Sequence, residues 1–324
     1  MRFFTNIIVI PKYFYTAVVV WFCLVSALYA QAPEWAYTVL DESVVPPAID
    51  ENAPRTVPGS DRSYTQLQID NHWTPPDWFP GDHAPLPDVV ANGAGPNVRA
   101  CAACHLTSGS GHPESSHLSG LPVEYQLKQM ADFASGARID HSPNNWMNEF
   151  ALSISEEDNR MAAEYFSALE PADWVDVVEM ETIPRTYIGA GRMHFLHPEG
   201  GTELLGQRII ELPVDPELVT AGHPYAGFKA YVPIGSVARG ELLATTGDGG
   251  TTVPCTICHG EGLKGLGEIP RIAGISPLYT IRQLYDFQRG TRAGLTAVLM
   301  DATVANLTLD DMIALAAYLG SLDP

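Results

Sequence analysis

The sequence is poor in charge and poorer still in positive charge. Of 324 residues 17% are charged, with 18 Lys or Arg against 38 Asp or Glu, for a net charge of −20. Such a surface repels phosphate backbones and anionic headgroups, which excludes nucleic acid as a partner. Hydrophobic residues reach 46%, too many for a disordered polar chain, and charged residues are too few for a coiled coil. An apolar run long enough to span a membrane is also missing. The run Tyr15 to Tyr29 falls short of the roughly 20 residues a membrane helix needs, and Pro11 and Lys12 interrupt anything longer. That run follows Arg2 and Lys12, has no acidic residue around it, and ends among Ala27, Ala30 and Ala32. This is the order of a secretory signal peptide. Residues 1–30 are therefore expected to be a leader that directs the chain to the periplasm, with an uncleaved anchor as the competing reading. No membrane span is expected in the mature chain.

Cysteine is scarce as well. There are five, and Cys23 lies inside the leader. The other four form Cys101-Ala-Ala-Cys104-His105 and Cys255-Thr-Ile-Cys258-His259. Thiols at i and i+3 lie on one side of a helical turn and suit the two vinyl groups of one porphyrin, and the next residue offers its imidazole to the iron. A structural disulfide, a redox dithiol or half of a zinc site would not require histidine directly after the second cysteine, nor explain why the pattern occurs twice. Two covalently bound haem c groups are expected, held by Cys101 and Cys104 and by Cys255 and Cys258, with His105 and His259 as iron ligands.

At about 150 residues per domain the length suggests two domains, and an internal repeat agrees. Gly93, Cys101, Cys104, His105, Gly120, Tyr125, Gln129, Asp132, Phe133, Gly136 and Arg138 each recur 154 positions on, up to Gly290 and Arg292. Beyond the arginines the offset becomes 153, matching Asp158 with Asp311 and Tyr165 with Tyr318. Such self-similarity marks a duplicated unit. The register selects the remaining ligands. Met130 matches Leu284, Met161 matches Ala314 and Met312 matches Asn159, whereas Met147 matches Met300. Met147 and Met300 are expected to be the second axial ligands, in an irregular stretch before the last helix of each unit. Residues 123–134 and 277–288 read as amphipathic helices. Closing helices are expected to start at Ser155 and Thr308, each with Asp three positions on.

These residues resemble the class I c-type cytochromes, and the tandem order is similar to the di-haem cytochrome c4 group. Ile269-Pro270-Arg271-Ile272-Ala273-Gly274, Tyr279, Arg282-Gln283-Leu284 and Asp286-Phe287 carry the resemblance, with Met300 seven residues before Leu307. It implies small helical haem domains, His/Met ligation at both irons and one-electron transfer without substrate chemistry. Two departures stand in the first unit. Leu106 replaces the glycine that usually follows the haem histidine, and Ser116 replaces the proline whose carbonyl holds the imidazole, where a backbone carbonyl still has to serve. His117 falls where the second unit has Arg271 and is expected at the surface or behind the ligands.

The expected fold is mainly α. Residues 31–85 form a Pro- and Trp-rich arm, packed rather than free. Residues 86–170 and 235–324 form the two haem domains, and 171–234 is an insert with some β structure, either a connector or a docking surface. Residues 31–170 hold six basic and twenty acidic residues, against six and nine in 233–324, where Arg271, Arg282, Arg289 and Arg292 gather. Redox protein partners are therefore expected, a basic one at the first unit and a less basic one at the second. The competing functions are a di-haem peroxidase and an electron-accepting subunit of a dehydrogenase.

Overall fold

Each haem motif makes one helical turn because the amide of its histidine bonds back to the carbonyl of its first cysteine, at 2.9 Å in both copies. These turns sit at matching places in a computed structural model that describes residues 33–45 and 49–324. The leader 1–30 lies outside the described residues. Residues Trp35–Pro324 form one unit.

In chain order, the arm pairs β1 (Pro54–Arg55) with β2 (Tyr64–Thr65) and continues into α1 (Gln66–Ile69). The first haem unit contains α2 (Asp88–Ala91), the motif turn α3 (Ala102–His105), α4 (Val123–Ser135), α5 (Trp146–Ser153) and α6 (Glu156–Ser167). The insert follows with β3 (Val175–Glu179), β4 (Thr182–Pro184), β5 (Thr186–Ile188), β6 (His194–Leu196), β7 (Thr202–Leu204), β8 (Ile210–Pro213), α7 (Pro216–Thr220) and β9 (Phe228–Val232). The second unit contains α8 (Ser236–Thr246), the turn α9 (Thr256–His259), α10 (Pro277–Arg289), α11 (Val298–Val304) and α12 (Leu309–Gly320).

The composition is thus mixed, with 38% helix and 12% strand. The strands lie in the arm and the insert. In the insert, β9 is central, parallel to β3 and antiparallel to β8. Its residues alternate between buried and half-buried, with Phe228, Ala230 and Val232 inward. The pairs β4·β7 and β5·β6 are antiparallel.

Local chemistry sets the helix ends. The Ser155 hydroxyl accepts from the amide of Asp158, and Thr308 makes a reciprocal box with Asp311. Gly136 and Gly290 close α4 and α10 in the left-handed conformation. The matching α2 and α8 differ in length, because Pro85 and Pro87 bar an N-terminal extension of α2. Without a long partner helix the first unit has a small core, of Val89, Val90, Ala102, Ala162, Tyr165 and Phe166. In the second, α12 packs on α8, α10 and β3 and buries Met312 to Ala317 and Leu319.

The two halves meet through residues that the repeat duplicates. The Arg138 guanidinium bonds Gln129 in its own half at 2.8 Å and reaches Tyr279 and Gln283 of the other at 2.9 Å each. Arg292 does the converse, bonding Gln283 at 3.0 Å and reaching Tyr125 and Gln129 at 2.8 Å each. The backbones of Arg138 and Arg292 form an antiparallel bridge between these two sets. The arm is packed, as its composition suggests. Trp78 is 1% exposed and donates to the Ala221 carbonyl of the insert at 2.8 Å, whereas Trp73 stays at the surface.

Candidate functional site

Both motif turns open onto one cavity of about 1570 Å³. That exceeds the roughly 300–1,000 Å³ typical of a small-molecule pocket. Its wall includes Cys101, Cys104, His105 and Met147 of the first unit and Cys255, Cys258, His259 and Met300 of the second. All eight side chains singled out by spacing and repeat therefore face the same space. Met161 and Met312 do not line it, and Met312 belongs to the core. Met130 does line it, as does Met193 from the insert. Met193 lies outside the repeat, so nothing in the sequence pointed to it.

The imidazoles are held alike. His105 Nδ1 lies 2.9 Å from the Ser116 carbonyl, and His259 Nδ1 lies 2.7 Å from the Pro270 carbonyl. Serine thus replaces proline without loss, because the acceptor is main chain. A carbonyl only accepts, so it fixes the proton on Nδ1 and leaves Nε2 as the free ligand atom. Burial lowers the pKa of both imidazoles, partly offset by these bonds, which keeps them neutral.

Cys101, Cys104, Cys255 and Cys258 form no disulfide with one another. Burial pushes the Cys101 thiol up to about 12 and the Cys255 thiol up to about 11, which suits neither thiolate exchange nor redox cycling. Among the described residues no three His, Cys, Asp or Glu side chains converge on a metal-sized site.

The methionines stand in short helices, not in the irregular stretch expected of them. Met147 is the second residue of α5 and Met300 the third of α11. At seven or eight residues these helices are too short to show a period. Local bonds start α5: the Trp146 amide donates to the Ser142 hydroxyl at 3.0 Å and the Met147 amide to the Asp140 carboxylate at 3.1 Å. The Asn148 amide then ties the segment to the Phe133 and Arg138 carbonyls at 2.7 and 2.8 Å.

His117 is not at the surface. It is 2% exposed, lies against Trp174 with ring centroids 4.4 Å apart, and accepts at Nδ1 from the indole N–H at 3.1 Å. The insert thus covers the back of the first site. His112, absent from the sequence argument, lines the cavity, and burial takes it down to about 3. Three of the four arginines gathered in the second unit add nothing to a basic face, Arg271, Arg282 and Arg292 being 5%, 6% and 8% exposed, and Arg289 alone of the four is exposed. Arg282 bonds the Ala36 and Pro113 carbonyls and pairs with Glu114.

No protein-family model matches the chain. Cytochrome c-552 of Acidithiobacillus ferridurans is 34% identical over 225 residues, which cover 68% of this chain and 73% of that protein. That relationship decides the family. The chain belongs to the di-haem class I c-type cytochromes, similar to cytochrome c4. This cytochrome carries two covalently bound haem c groups and functions in electron transfer. The thiosulfate dehydrogenase electron acceptor of Thiomonas intermedia is 27% identical over 233 residues, covering 70% of the cytochrome and 81% of that relative. Among solved structures, thiosulfate dehydrogenase of Marichromatium purpuratum aligns with a TM-score of 0.49 at 26% identity, over 71% of the cytochrome and 38% of that chain. Cytochrome c4 of Acidithiobacillus ferrooxidans aligns with a TM-score of 0.46 at 23% identity, over 68% and 98%. The residues present fit the group. Each half offers two thiols, an imidazole with only Nε2 free, and a thioether on the wall of one large cavity.

Proposed function

We propose that Cys101 and Cys104 hold one haem through thioether bonds and that Cys255 and Cys258 hold the other. His105 with Met147, and His259 with Met300, would supply the protein ligands to the two irons. The observation that carries this reading is that both imidazoles, each with Nε2 free, and both methionines matched by the repeat line one cavity. Bound there, the haems supply reversible one-electron iron chemistry, and thioether ligation favours the ferrous state. The chain's own part is to fix the imidazole tautomers through Ser116 and Pro270, to present the thioethers, and to exclude water behind His105 with His117 and Trp174. Held by the imidazole and the thioether together, an iron would have no open position for peroxide or substrate, which supports a carrier rather than an enzyme.

We assign residues 1–30 to an export leader, 31–85 to the arm, 86–170 and 235–324 to the haem domains, and 171–234 to the insert. The compartment is the periplasm. No helix among the described residues is long and apolar enough to cross a membrane. The charge of −20 calls for at least one basic redox partner. A dehydrogenase as donor is favoured by relatives named thiosulfate dehydrogenase electron acceptor and, for Chlorobaculum tepidum, cytochrome subunit of sulfide dehydrogenase.

Stoichiometric reduction of purified holo-protein, followed by addition of cyanide and then peroxide, tests the reading. The expected result is uptake of two electrons per chain, an unchanged spectrum with cyanide and no peroxidase turnover. Cyanide binding at either iron, or turnover with peroxide, would overturn it in favour of the peroxidase.

A further inference from the structure

The two haem units are copies, yet their outer faces have diverged residue by residue at the cavity mouth. In the second unit, Val253 and Ile257 of the motif loop are 39% and 65% exposed, and Leu295, Val298 and Leu299 before Met300 are 93%, 63% and 69% exposed. Val253 and Leu299 line the cavity itself, and the Thr252 hydroxyl bonds the Thr303 carbonyl at 2.7 Å, joining the two segments. Neither 249–260 nor 293–300 contains a charged residue, in a chain of net charge −20. The repeat places Arg99, Ala103, Ser142, Asn145 and Trp146 at the matching positions of the first unit. There the apolar character is lost or covered. The Arg99 guanidinium lies 3.9 Å over the Trp146 ring and contacts His72 of the arm at 2.6 Å.

The arm and the insert also close round the first motif. The Ala100 amide bonds the His72 carbonyl at 3.1 Å, and Ala100 and Ala102 are each 3% exposed. Cys104 is half-buried while its counterpart Cys258 is exposed. Arm residues Ile69 and Asp70 and insert residues Arg192 and Met193 extend the cavity wall. In one copy, then, large exposed apolar side chains stand on both segments that flank the site. In the other, segments outside the repeat occupy the equivalent approach.

We propose that the face formed by Val253, Ile257, Leu295, Val298 and Leu299 is the protein's single docking surface for its redox partner, the arm and insert having withdrawn the first unit's equivalent. Clustered exposed apolar groups of this kind mark interaction sites. The occupant is a redox protein with an uncharged apolar contact disc and a basic rim. The uncharged segments meet the disc, and Asp248, Glu261 and Asp301, which flank them, meet the rim. Electrons enter and leave the protein one at a time at this face, with no bond made or broken. The inference rests on the proposed haem attachment at the second motif.

The test uses holo-protein on gold bearing a methyl-terminated alkanethiol monolayer, with adsorption measured by surface plasmon resonance and electron exchange by voltammetry. Ile257→Asp and Leu299→Asp are compared with Leu152→Asp in the first unit and Leu204→Asp in the insert, two equally exposed apolar side chains away from the face. Every variant is first matched to wild type in absorption spectrum and in both potentials. A failure of the haem assignment then shows in those measurements, and a failure of the docking face only in adsorption. The expected result is at least a tenfold loss of adsorption affinity and of exchange rate for Ile257→Asp and Leu299→Asp, with neither changed for the two controls. Equal behaviour of all four would overturn the proposal. So would a concentration-dependent dimer, or binding to neutral phosphatidylcholine vesicles, that Leu299→Asp abolishes, since the face would then serve a second copy or a lipid surface.

Discussion

Arg138 and Arg292 pair backbone to backbone, and each sends its guanidinium into the other's half, so that Gln129 and Gln283 both accept from both arginines. A duplicated set of residues has become a reciprocal clamp across the joint between the haem units. The planar fork of arginine makes this possible, because one side chain serves a tyrosine and two glutamines at once.

Arg138→Lys and Arg292→Lys should each lower the stability of the holo-protein by about 1–3 kcal/mol, since lysine cannot reach every acceptor and leaves buried groups unpaired. The double variant should lose less than the sum, because the two arginines share Gln129 and Gln283. Denaturant unfolding of the four proteins reads this out, and strict additivity would refute a shared network.

Leu106 takes the backbone that Gly260 takes in the second unit. Its φ and ψ are 60° and 166°, against 76° and −178° for the glycine. That region is strained for a residue with a Cβ, at a cost of about 1–3 kcal/mol. Leu106→Gly should therefore raise stability, by up to that amount, less the greater unfolded-chain entropy of glycine. A lower thermal midpoint for the variant would show that packing of the Leu106 side chain outweighs the strain.

The chemistry was legible in the sequence because it is local. The two C-x-x-C-H pentapeptides and the caps at Ser155 and Thr308 each depend on residues a few positions apart, and Met147 was singled out only because Met300 answers it across the repeat. Nothing local announced the rest. The offset of 154 marks Tyr125, Gln129 and Arg138 as duplicated but cannot show that they bond their own duplicates. The parallel pair Val175–Glu179 and Phe228–Val232 joins strands separated by most of the insert. The sequence left His117 open between the surface and a place behind the ligands because its cover, Trp174, lies 57 positions away, and the arginines misled because formal charge carries no information on burial.

Glu211 links the insert to the second haem unit. Its carboxylate, 1% exposed on β8, accepts from Ser276 Oγ at 2.8 Å and from the Leu278 amide at 2.6 Å at the start of α10. Burial raises its pKa from 4.5 to about 7, against the lowering effect of those bonds. With the folded pKa above the unfolded one, the native state binds the extra proton. The resulting stability is present in full below about pH 4.5 and is lost as pH rises to about 7. A shift of that size corresponds to at most about 3 kcal/mol. Glu211→Gln should flatten the stability profile between these limits, as measured by thermal unfolding of holo-protein across pH; an unchanged slope would remove Glu211 as its source.

Met147→His should lower one reduction potential and leave the other near its wild-type value, because imidazole favours ferric iron relative to thioether. Met300→His should do the same at the other site. Optical redox titration of each variant separates the two couples. Two unmoved potentials for Met147→His would exclude that residue as a ligand.

Sulfur ligation of both irons is the claim on which the carrier function rests, and the near-infrared absorption that a thioether gives to ferric haem reports it directly. In oxidised holo-protein the band should have the intensity of two sites per chain, falling by half in Met147→His, by half in Met300→His and to zero in the double variant. An intensity of one site or none in the wild type, or a band that survives either substitution intact, would contradict it.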